Sequence, residues 1–175
     1  MVMRRLSVIL GLFSVIAVPA AALAAPSATG DGSLVVQNGS APLGTPGTPG
    51  TPVVQLTITG SVIGHVDHGR IIIDTGVNGE APDVTGAEWR GDSTRSATAQ
   101  VWRGQDFKFR AVGGKNMVVL VYGSGVDLVA VGKGTVKLAG LPDVGVGDGK
   151  YSLNGADFVS LPGTQTDRRI IGSNG

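Results

Sequence analysis

From Val53 onward, apolar and polar side chains alternate in short runs that end at glycine, and this rhythm commits the chain to β-structure. Val54, Leu56 and Ile58 share one face of an extended segment, with Gln55, Thr57 and Thr59 on the other. Ile71, Ile72 and Ile73 form a β-branched run between Gly69 and Gly76. Phe107, Phe109 and Ala111 point one way, Lys108 and Arg110 the other. The stretch 112–116 reads as a hairpin turn with 117–122 as its returning strand, and 126–131 and 135–138 read as a pair around Gly132-Lys133-Gly134. A last hairpin runs from 151–153 through Asn154-Gly155 to 158–159. The almost unbroken apolar run 117–121 predicts a strand buried on both faces. Glycine, 29 of 175 residues, is more than twice the typical share of roughly 7%, which leaves few stretches able to carry a long helix. The expected fold is all-β: a two-layer antiparallel β-sandwich or closed barrel of about nine or ten short strands.

Cysteine is absent, so packing and backbone pairing must supply all the stability. The N-terminus reads as a secretory signal peptide: Arg4 and Arg5, an apolar run from Leu6 to Val18, then Ala22-Leu23-Ala24 as a small-x-small cleavage signature. The expected division is a signal peptide over 1–24, a Gly/Pro/Thr-rich linker over 25–52, a β-sandwich domain over 53–163 and a flexible tail over 164–175. The linker ends in three Gly-Thr-Pro triplets, an extended and partly polyproline II composition. Within it, 33–37 reads as a short strand that adds to the sheet edge. Loss of Arg4 and Arg5 with the signal takes the 14 basic residues to 12, against 13 acidic. A nearly neutral surface argues against nucleic acid as a partner, since a polyanion binder needs a clustered basic face. The expected location is secreted or extracytoplasmic, without a membrane anchor once the signal is cleaved. A faint echo at an offset of 65 relates Gly60 to Gly125, Gly69 to Gly134, Ile71 to Val136 and Ile73 to Leu138. It fits two related β-units or shared strand-turn chemistry.

Four groups of residues suggest chemistry. The segment Ile71-Ile72-Ile73-Asp74-Thr75-Gly76 resembles the hydrophobic-Asp-Thr-Gly signature of retropepsin-type aspartic proteases. Ile170-Ile171-Gly172 and Gly113-Gly114 resemble that family's C-terminal segment and flap. With a single Asp-Thr-Gly, the resemblance implies a homodimer in which Asp74 is the catalytic carboxylate. The plain alternative is a strand end where Asp74 forms an Asx-turn. His65, Asp67 and His68 carry metal-ligand chemistry, provided a bend at Asp67 brings His68 to the face of the other two. Asp74, Asn78, Glu80 and Asp83 offer oxygen ligands for calcium, as does the loop 143–150, although neither spacing is that of an EF-hand. Trp89, Trp102 and Tyr122 are candidate rings for stacking on a glycan, with Trp102 also suited to the core.

The pattern of 32–36, 62–70, 126–135 and 151–155 resembles a group of uncharacterised exported Gly-rich bacterial β-proteins, a likeness that implies an exported β-domain and no activity. No cofactor is expected. The resulting expectation is a non-enzymatic module of the cell envelope or the extracellular space, with an envelope component or a glycan as partner.

Overall fold

The computed structural model describes residues 30–44, 50–141 and 149–172. The expected signal segment and residues 142–148 of the second acidic loop lie outside them. The described residues form nine strands and no helix: β1 (Gly32–Gly39), β2 (Val54–Asp74), β3 (Asp83–Thr85), β4 (Trp89–Asp92), β5 (Ala99–Val112), β6 (Met117–Leu138), β7 (Lys150–Leu153), β8 (Val159–Ser160) and β9 (Arg169–Ile171). All pairings are antiparallel. The strands make one sheet in the order β3-β5-β2-β6-β1-β7-β8, with β4 beside β5 and β9 beside β6. The sheet is not closed into a barrel. Its outermost strands, β3, β4, β8 and β9, have two to four residues each and do not pair with one another. Short edge strands offer little template for unwanted pairing.

Two of the nine strands are long, and this is where the structure departs most from the expectation of short strands. β2 has 21 residues and β6 has 22. They pair along almost their whole length, from Gln55↔Lys137 to Asp74↔Val118. Glycines that read as turns in the sequence are instead points inside continuous strands. Gly60 faces Gly132, and Gly69 faces Gly123. A Cβ on Gly60 would run into the Val131 carbonyl and one on Gly132 into that of Thr59; Gly69 and Gly123 are blocked in the same way by the carbonyls of Tyr122 and His68. The backbones approach more closely at these two crossings than any side chain allows. The 132–134 stretch is therefore no hairpin, because β6 passes straight through it.

The expected hairpin at 112–116 is also absent. β5 and β6 are not partners. β5 runs along one edge of β2, ending at Ser61↔Val112, and β6 begins further along that same edge at Ile58↔Met117. The intervening residues loop out, and Lys115 forms an isolated bridge with Val77. The first residues of β2, 54–58, consequently carry β6 on both edges: 117–121 on one side and 134–138 on the other. Of the two segments that echo each other in sequence, 60–66 and 126–132 are hydrogen-bonded neighbours, whereas 71–73 pair with 119–121 and not with 136–138.

The core lines one side of this bent sheet. Leu34, Leu56, Ile58, Ile71, Ile73, Phe107, Met117, Leu128 and Leu138 are fully buried within it, each contributing about 1.5–3 kcal/mol. Residues 117–121 are covered on both faces as expected. Met117, Val119 and Val121 join the core, while Leu120 on the opposite face is equally buried.

The sheet extends past residues 53–163 in both directions. β1 lies in the stretch read as linker, yet it sits inside the sheet with β6 on one edge and β7 on the other, where Leu34 meets Ala130 and Leu153. β9 lies in the stretch read as tail and pairs Ile171 with Gly134. Between them the C-terminal strap is tied down, since Thr166 accepts the Leu138 N–H at 3.0 Å and donates its own N–H to the Leu138 carbonyl at 2.9 Å. The 150–160 hairpin forms with Tyr151↔Val159. Asn154 and Gly155 both have positive φ, as a type I′ turn requires.

Candidate functional site

Asp74 ends β2, and its carboxylate is consumed by its surroundings. Ser96 Oγ donates to Oδ2 at 2.6 Å, Thr98 Oγ1 donates to Oδ1 at 2.8 Å, and the Gly76 N–H donates to Oδ1 at 3.1 Å. The last of these is an Asx-turn. The Ser96 hydrogen bond is the largest of the influences that hold this carboxyl below the usual 3.8 of an aspartate; burial opposes it, while Thr98 and Gly76 add to it. Of the segments that share the protease resemblance, Gly114 packs against Thr75 and Gly79, and Ile171 lies on β9 beside Gly134. The geometry makes Asp74 a clip that fastens the 93–98 loop to the end of β2.

This has a pH consequence. The folded-state pKa lies below the unfolded value, so the clip stabilises the fold above the unfolded pKa, and its contribution is lost as pH falls through the folded pKa. Asp74→Asn is expected to lower stability at pH 7 by about 1 kcal/mol, a solvent-reduced share of a charged hydrogen bond. The difference from the native chain should shrink on acidification below pH 3.8, as read by urea unfolding at both pH values. A constant difference would mean that the charge plays no part.

His65 and Asp67 come together, and a residue distant in sequence joins them. His65 Nε2 lies 2.8 Å from Asp106 Oδ1, and Nδ1 lies 3.6 Å from Asp67 Oδ1. Both aspartates fall at one interruption of the ladder, where the β2–β5 register passes from Val66↔Phe107 to His68↔Gln105 and skips Asp67 and Asp106. Asp106 has a φ of 48°, uncommon for a residue other than glycine. On the β6 side the skipped residue is Gly125, with a φ of 61°. Its bare Cα makes room for the Asp67 carboxylate. His68 is not part of this cluster. Among the described residues, no three His, Cys, Asp or Glu side chains converge as metal ligands. In the loop after β2, Asp83 lies on β3 opposite Arg110, and the oxygens of Asp74 are turned to residues 76, 96 and 98.

The three candidate rings do not form one platform. Trp102 is buried and belongs to the core; Trp89 is 48% exposed; Tyr122 is buried on the face away from the core. What the sheet builds instead is a row that crosses four strands. Trp89 on β4 pairs with Arg103 on β5, Arg103 with Arg70 on β2, and Arg70 with Tyr122 on β6. Directly opposed residues share a face, so two guanidiniums stand side by side between two aromatic rings. Arg103 lies 5.0 Å from the centroid of Trp89, and Arg70 lies 4.3 Å from that of Tyr122. Both distances are within cation–π range. The sequence held a signal for this arrangement. It contains two Trp-Arg dipeptides, 89–90 and 102–103, and antiparallel pairing matches each Trp with the other's Arg. On the core side the second match sets Arg90 over Trp102 at 5.7 Å, where Arg90 also donates to Gln100 Oε1 at 2.9 Å.

No protein-family model matches this chain, and neither does any curated protein or solved structure.

Proposed function

We propose that this chain is an exported, non-enzymatic β-domain that serves as a binding or structural module in the cell envelope or outside the cell. Export is supported by the signal-peptide pattern of residues 1–24. A two-layer arrangement of the bent sheet fits the double pairing of residues 54–58, which sends β2 and β6 back across themselves.

The observation that carries the binding role is the row Trp89–Arg103–Arg70–Tyr122, which presents charge and ring surface on a rigid sheet. The polar groups with catalytic potential are bound into structure: Asp74 by three hydrogen-bond donors and His65 by two carboxylates. The test is hydrolysis. Purified protein incubated with casein at acid pH and with p-nitrophenyl esters is expected to give background rates that Asp74→Asn leaves unchanged. Proteolysis abolished by that substitution would overturn the reading in favour of an aspartic protease dimer.

A further inference from the structure

Arg70 and Arg103 are direct cross-strand partners. Like charges in that position repel, and among the described residues neither is ion-paired; the only acid–base contacts there involve His65. Arg70 Nε is buried and has no hydrogen-bond partner, although buried donors are ordinarily satisfied. Such a pair is costly without an anion and suited to an oxyanion, which a guanidinium grips with two parallel N–H donors. Contact with the Trp89 and Tyr122 rings restrains each guanidinium, so less freedom is lost when it engages a ligand.

We propose that this row binds an acidic oligosaccharide through uronic-acid carboxylates on Arg70 and Arg103, with a neighbouring sugar ring laid against Trp89. The ligand class deepens the binding role proposed above and rests on it. Three strand spacings of about 4.8 Å make the row about 14 Å long, which suits an extended chain rather than a lone ion. A sugar supplies an apolar C–H face for the half-exposed indole as well as the carboxylate. A membrane surface fits less well, because of the other exposed large apolar residues only Ile63 is on a strand of the row, seven positions from Arg70, while Leu43, Val77, Phe158, Val159 and Ile170 lie on other elements. The chain as a whole is nearly neutral, and the basic character needed is local to these residues.

The test is calorimetric titration of the full chain with a hexamer of galacturonic acid, its fully methyl-esterified form and inorganic phosphate, plus sedimentation with phosphatidylglycerol vesicles. The expected result is saturable binding of the hexamer that weakens with salt, with at least tenfold weaker binding of the ester. Arg103→Gln and Arg103→Lys should each weaken hexamer binding at least tenfold, the second because the charge remains while the planar fork is lost. Trp89→Ala should weaken it several-fold. Arg103 and Trp89 are exposed, so these variants are expected to fold, which circular dichroism checks. Absence of hexamer binding, equal binding of the ester, binding confined to phosphate or to vesicles, or full affinity in folded Arg103→Gln would each overturn the proposal. The hydrolysis test of the module reading is independent of all these outcomes.

Discussion

Gly123→Val is expected to cost about 2–6 kcal/mol, a large share of a typical total stability of about 5–15 kcal/mol. Two effects add. The backbone at Gly123 has a φ of 131°, a conformation that a β-branched residue adopts only under strain of about 1–3 kcal/mol. The new side chain would also be driven into the His68 carbonyl and the Gly69 Cα, and neither can retreat, because Gly69 is itself pressed against the Tyr122 carbonyl. Overpacking of this kind costs about 1–3 kcal/mol. Gly155→Asn is the control. Its φ is 77° and no atom lies within 4 Å of the added Cβ. Asparagine tolerates that region, so the change should stay within about 1 kcal/mol. Urea midpoints at constant slope measure both. Equal midpoints for Gly123→Val and the native chain would remove the β2–β6 crossing from the account of this fold.

The second large effect concerns where the folding unit begins and ends. A chain cut to residues 53–163 is expected to give no cooperative thermal transition, whereas one spanning 30–172 should melt like the full chain. The shorter piece lacks β1 and β9, and with them the buried Leu34, Val36 and Ile171. At about 1.5–3 kcal/mol each, their loss removes about 5–9 kcal/mol, comparable with the whole stability of a domain. It also bares the edge of β6 along 126–132 and cuts the β7–β8 hairpin off from the rest of the sheet. A bare apolar edge invites aggregation, so light scattering should rise as the transition disappears. Indistinguishable melting of the two pieces would show that β1 is dispensable.

Strand positions were legible in the sequence because burial on one face imposes alternation, and 54–58, 71–73, 107–111 and 117–122 all lie in strands. Strand continuity was not legible. Glycine is the residue of tight turns and also of close backbone crossings, and only the partner across the ladder tells them apart. Gly60, Gly69, Gly123 and Gly132 look like the end of a strand until the facing glycine is known. The same blindness applied to β5 and β6. A Gly-Gly-Lys-Asn stretch between apolar runs has hairpin chemistry, but whether the chain returns along its predecessor or advances beside a third strand is set by pairing more than forty residues away. Asp74 was legible as a turn because its Asx geometry is local. Asp106 was missed as the partner of His65 because the two are 41 residues apart, and the arginine row was missed because it exists only in the four-strand register.

The double embrace of residues 54–58 by β6 also governs timing. Val54 must find Val121 and Leu138, partners that emerge only when most of the chain has been made, so no early local hairpin seeds the centre of the sheet. Closing loops of that size before any reward is slow. The reverse path is equally obstructed, since releasing those residues means peeling β6 from two sides at once. Slow release of these residues is the expected counterpart of their slow assembly.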